Sequence, residues 1–139
     1  MQPVIGFREN AHTADWELEV WAPDFPALLE QAARGMYLLS GVHLAEGPRL
    51  TQTLSLSAQD SESLLVQFLS SLLWFEENQH LGFDNFDIKI LGDEPYRLSA
   101  NLEGSTIISM DKEIKAVTYH NLAIQTTQDG LRVVIVFDV

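Results

Sequence analysis

The sequence predicts an α+β fold: a two-layer sandwich in which a mainly antiparallel sheet carries two main helices packed on one face. Three observations point there. Two segments place apolar residues at helical spacing, while the rest of the chain alternates on a strand period. The strand segments come in neighbouring pairs joined by short turn-rich stretches, the arrangement that antiparallel pairing permits. Finally, 139 residues that are 46% hydrophobic, without repeats, linkers or low-complexity segments, suit one domain spanning 1–139.

"GFRENAHTADWELEVWAP" opens the chain as two short strands around a polar bend, with Trp16, Leu18 and Val20 alternating against Glu17, Glu19 and Trp21. Pro23 stops the second strand. The first helix follows in "DFPALLEQAARGMYLLSG": Asp24 is its N-cap, Pro26 sits in its first turn, and Leu28, Leu29, Ala32, Ala33, Met36 and Leu39 form its apolar stripe. Gly41 is its natural stop. "RLTQTLSLSA" returns to a strand period through Leu50, Leu54 and Leu56.

The second helix is predicted in "DSESLLVQFLSSLLWFEENQHLG", capped by Asp60, with Glu62 where the helix dipole favours an anion and Gly82 near the end. Its wide face of Leu64, Leu65, Phe68, Leu69, Leu72 and Leu73 should bury it against the sheet. Two hairpins complete the chain. The first joins "FDNFDIKIL" to "RLSANLEG" through "GDEPY"; the second joins "AVTYHNLAIQTT" to "LRVVIVFDV" through a tight turn at Asp129 and Gly130.

Charge narrows the function. Twenty acidic residues against 8 basic ones give a formal charge of −12, which repels phosphate backbones and anionic lipid, so direct nucleic-acid or membrane binding is not expected. No cysteine is present, which excludes disulfides, thiolate metal sites and cysteine nucleophiles. Met1 to Asn10 lacks a basic and apolar leader, and the expected compartment is the cytoplasm. "GDEPYRLSANLEG" has neither the glycine spacing nor the lysine of a phosphate-binding loop. The histidines, His12, His43, His80 and His120, form no sequence-local metal motif.

Asp15 and Asp138 stand out because each lies where an apolar strand meets a polar end. Alone, Asp15 reads equally as a turn residue and Asp138 as a solvated charge. Two carboxylates brought close together would repel unless a cation sat between them.

"HTAD" near the start, "IKAVTYHNL" from Ile114 to Leu122, the acidic cap and long helix of "DSESLLVQFLSSLLWF", and the closing "FDV" together resemble the archease family. The resemblance runs over nearly the whole chain. It implies a protein cofactor, not an enzyme: an accessory activator of the GTP-dependent RNA ligase of the tRNA-splicing type, which joins a 3′-phosphate or 2′,3′-cyclic phosphate end to a 5′-hydroxyl. In tRNA splicing or RNA repair, such a protein promotes formation of the ligase–histidine–GMP intermediate and allows multiple turnover. It also implies a metal site formed by Asp15, Asp138 and Val139, taking a divalent cation, calcium first, with magnesium or manganese as alternatives. The motif lysine corresponds to Lys115, and His12 and His120 are further functional candidates. Where relatives follow "HTAD" with an aliphatic residue and glycine, this chain has Trp16 and Glu17. Two other classes are a stand-alone metal-dependent phosphoesterase, with His12 or His120 as acid or base, and a general chaperone or binding module.

Overall fold

The structure, a computed structural model, describes residues 4–10 and 15–139. In chain order its elements are β1 (Gly6–Asn10), β2 (Trp16–Ala22), α1 (Phe25–Ser40), β3 (His43–Leu44), β4 (Leu50–Ala58), α2 (Ser61–Gln79), β5 (Leu81–Asp93), β6 (Tyr96–Ser109), β7 (Ala116–Val117), β8 (Gln125–Thr127) and β9 (Gly130–Asp138). The α+β arrangement holds, and every strand pairing is antiparallel.

The strands divide between two sheets. One has five strands in the order β1-β2-β9-β7, with β8 also on β9; the other has four, with β6 flanked by β3 and β4 on one side and β5 on the other. The two helices fill the space beside them. α1 packs on β1, β2, β9 and β5, while α2 packs on β4, β5, β6 and β7. Leu28, Leu29, Met36, Phe68, Leu69 and Leu72 meet Leu18, Ile135, Phe137 and Leu98 in one continuous core, each essentially removed from water.

Local chemistry sets the helix ends. Asp24 accepts a hydrogen bond from the Ala27 amide at 2.9 Å, and Asp60 accepts one from Ser63 at 2.7 Å, so each satisfies an amide that the first turn leaves unpaired. Gly41 ends α1 with φ of 68°, and a Cβ there would fall 2.3 Å from the Asp111 carboxylate. The neighbouring Ser40 carbonyl accepts from the amides of Asp111 and Lys112, which docks that segment on the end of α1.

Two expectations are revised. α2 stops at His80, whose φ is 52°, and its amide donates to the Phe75 carbonyl. Gly82 belongs instead to β5, where the Gly104 backbone approaches so closely that a Cβ on Gly104 would lie 1.7 Å from the Gly82 carbonyl oxygen. The strand expected from Ala116 to Thr127 is interrupted, because only its two ends pair with β9. Residues 118–124 arch away between them, turning at Asn121 with φ of 51° and a Leu122 to Tyr119 hydrogen bond of 3.1 Å. Leu122 and Ile124 pack on the core, and the Ile124 amide donates to Oε2 of Glu62 in α2 at 2.9 Å. The arch gives up ladder bonds but gains apolar burial and a charge-assisted hydrogen bond.

Candidate functional site at the end of the five-stranded sheet

The register of β2 against β9 places Trp16 across from Phe137, Leu18 across from Ile135 and Val20 across from Val133. Continuing it by one residue sets Asp15 opposite Asp138. Because side chains alternate along a strand, the buried Leu18, Val20, Ile135 and Phe137 face the helices. Asp15 then shares the outer face with Glu17, and Asp138 shares it with Val136. Both aspartates are exposed.

A cleft of about 260 Å³ opens on that face, lined by Asp15, Glu17, His120, Asn121, Val134 and Val136. The arch of residues 118–124 brings His120 into it. Thr118 Oγ1 donates to the Val136 carbonyl at 3.0 Å and accepts from the His120 amide at 3.2 Å, while Asn121 Nδ2 lies 3.3 Å from His120 Nε2. The imidazole is thus anchored from its backbone and from its neighbour. Valine walls beside polar groups suit a ligand with a charged end.

Lys115 enters the site through its main chain. Its amide donates to the Asp138 carbonyl at 2.8 Å, and Ala116 pairs with Asp138. Lys115 has the strand phase of buried Val117, however, and it lines a second cavity at the far end of α2. Val139 is half-buried and packs against the core. His12 lies outside the described residues.

Among the described residues no three His, Asp or Glu side chains gather as a metal-holding cluster. Asp15, Asp138 and a main-chain oxygen of Val139 would form a set of hard oxygen donors, open enough to leave positions for water. That chemistry fits calcium or magnesium better than zinc.

Two buried acids escaped the sequence reading. Glu19 was expected on the solvent side of β2 but is enclosed between Arg8 Nη2 at 2.7 Å and Arg132 Nε at 2.5 Å. Burial alone would raise its pKa; the two guanidiniums outweigh that and hold it below the usual carboxylate range. Glu76 lies in α2 among the helix's buried residues. Burial first, then the charge of Glu113, push it up to about 7. The sequence carried a signal for Glu76, since it follows Leu69 and Leu72 at helical spacing and so falls on the apolar stripe.

These features define a class: an α+β domain of two antiparallel sheets and two helices, with an acidic cleft where β2 begins and β9 finishes. The family model described as the Archease protein family (MTH1598/TM1083) matches residues 7–139. The chain belongs to the archease family. It is 30% identical over 135 residues to protein archease of Methanosarcina barkeri, covering 92% of each chain, and 29% identical over 125 residues to that of Pyrococcus abyssi, covering 86% of this chain and 87% of the relative. The solution structure of Methanobacterium thermoautotrophicum protein 1598 superposes with a TM-score of 0.78 at 25% identity, over 96% of this chain and 99% of the other. The crystal structure of a Thermotoga maritima archease, described as a possible chaperone, shares the fold with a TM-score of 0.66 at 21% identity, over 100% of this chain and 97% of the other.

Proposed function

We propose that this chain is an accessory activator of a GTP-dependent RNA ligase of the tRNA-splicing type, promoting guanylylation of the ligase histidine and multiple turnover. What carries this reading is the β2–β9 register, which ends at Trp16 across from Phe137 and, extended by one residue, sets Asp15 opposite Asp138 in a chain of the archease family. In this reading Asp15, Asp138 and Val139 hold a divalent cation, calcium in the first instance, with magnesium or manganese as alternatives. When bound, the ion neutralises two facing carboxylates and supplies a positive centre on an acidic face. His120 shares the cleft with Asp15, and Lys115 ties the neighbouring strand to Asp138 through its amide. The net charge of −12 favours docking on a basic, RNA-facing surface of the ligase, so association should weaken as salt rises.

The test is guanylylation of the purified ligase with and without this chain. Substoichiometric amounts should accelerate it, while the chain alone should neither join RNA nor hydrolyse GTP. Equal ligase rates at every ratio would end the activator reading. Hydrolysis of a cyclic-phosphate RNA end by the chain alone would favour a phosphoesterase instead. The description of the Thermotoga maritima relative favours a second reading, a chaperone; it predicts protection of unrelated unfolded proteins regardless of Asp15.

A further inference from the structure

The second cavity, about 220 Å³, lies between the last turns of α2 and the segment ahead of β7. Glu76, Glu77 and Glu113 supply its carboxylates, and Leu73, Met110 and Ile114 its apolar walls. Glu76 is only 6% exposed, and its Oε1 is buried with no hydrogen-bond partner. A carboxylate oxygen without a donor in the interior is costly, and Glu19, the other buried acid among the described residues, avoids that state through Arg8 and Arg132. We propose that the cavity receives a cationic side chain of a protein partner, the guanidinium of an arginine, with Glu76 and Glu113 as its anionic partners. This site does not rest on the ligase reading.

The choice of a guanidinium follows from the lining. Among the described residues no three His, Asp or Glu side chains are grouped so as to hold a metal ion, these acids included, and the space exceeds what a lone ion needs. Apolar walls suit the methylene stem of an arginine, and its planar fork of donors can serve two carboxylates at once. Three carboxylates repel phosphate, which argues for a protein over a nucleic acid. Met110 in the cavity wall is 36% exposed, and Trp74, next along α2 from the lining residue Leu73, is 51% exposed, giving a partner apolar ground near the charged contact. No ion pair joins Lys115, which also lines the cavity, to Glu76 or Glu113. The acids are therefore not already neutralised from within.

The groups that face or surround Glu76 are Glu77 and His80 on α2, Glu113 and Lys115 on the following segment, and the Tyr37 hydroxyl on α1, which feels the charge of Glu76. Burial and Glu113 push the Glu76 carboxyl up to about 7, so a bound cation should be released as pH falls through neutrality.

The test is carboxyl-carbon NMR of the full chain, titrated with N-acetyl-arginine methylamide, its uncharged citrulline analogue, or calcium chloride. The arginine derivative should shift the Glu76 and Glu113 resonances with millimolar saturation, and should bind about tenfold more weakly near pH 6 than near pH 8. The citrulline analogue should leave both unchanged. Glu76→Gln should abolish the response at Glu113, and Glu113→Gln should weaken that at Glu76. A Glu76 resonance that does not move with the arginine derivative, moves equally with citrulline, or moves with calcium alone would overturn the proposal.

Discussion

Glu19 and Glu76 are buried almost equally, at 5% and 6% exposed, yet their carboxyls are displaced in opposite directions. On the outer face of the five-stranded sheet, Arg8 stands directly across from Glu19 and Arg132 reaches it from β9, so desolvation is more than repaid by two guanidiniums. At the end of α2 no cation answers, and Glu113 adds repulsion to desolvation. A sheet gives each outward side chain cross-strand neighbours at fixed spacing; a helix face turned inward offers only what happens to pack against it. The charge of a buried acid is thus decided by the element that carries it as much as by its depth.

Breaking the satisfied side should have the largest effect. The double change Arg8→Ala and Arg132→Ala leaves Glu19 buried and unpaired, and should cost about 3 to 4 kcal/mol at neutral pH, toward the lower end for a broken buried pair because both guanidiniums are partly solvated. Denaturant unfolding measures it, and Glu19→Gln in the same background should recover much of the loss. If the double variant unfolds as the parent does, the arginines do not support Glu19.

The unsatisfied side should respond in the opposite sense. The Glu76 carboxyl is raised from 4.5 to about 7, so its contribution to stability is complete below pH 4.5 and is lost as pH rises through about 7. Glu76→Gln should therefore unfold like the parent near pH 5, and gain about 2 to 3 kcal/mol near pH 8. Melting curves across that range give the answer, and a variant destabilised at pH 8 would mean that Glu76 has a donor in solution.

A second pair of acids, Asp15 and Asp138, is held at the surface, set opposite each other by the β2–β9 register extended one residue. At a hundredfold excess over its dissociation constant, a divalent cation should stabilise the parent by about 2.7 kcal/mol, and Asp15→Ala or Asp138→Ala should abolish the increment while leaving the cation-free melt nearly unchanged. A peptide extension after Val139 should act likewise by crowding the ion. Calorimetry with calcium, magnesium and manganese ranks the ions; an undiminished increment in Asp15→Ala would remove that residue from the site. The smallest effect belongs to the exposed cluster in which Arg49 bridges Asp84 and Glu103. Arg49→Ala should shift the melting temperature less than any change above, and less still in high salt.

What could be read from the sequence was what local chemistry determines. Asp24 and Asp60 cap their helices because an oxygen three residues ahead of an unpaired amide suffices, and the hairpin closes from within close to the expected place, its turn being Gln128–Asp129 with Gly130 already paired to Thr127. The arch at 118–124 was not legible, because its tether Glu62 lies 62 residues away along the chain. The division of strands between two sheets was likewise hidden, since alternation marks a strand but not its neighbours. For the candidate site, strand-end position singled out Asp15 and Asp138, whereas their opposition depends on the register with β9. Lys115 could be recognised from its motif, but not its strand phase, which sets it beside Glu76.

α2 also fixes a distance. Its first turn holds the Ile124 amide through Glu62, and its last turns flank Lys115 through Glu76 and His80, so the stretch from Lys115 to Ile124 is strung along the helix like a cord on a bow. The fourteen helical steps from Glu62 to Glu76 set a span of about 21 Å between those ties. A bow of fixed length lets its cord bend but not slide. His120, carried at the bend and held there through Thr118, therefore keeps its place in the cleft with Asp15 while Lys115 keeps its own beside the helix, and an insertion of even one residue in α2 would rotate one tie away from the other by about 100°.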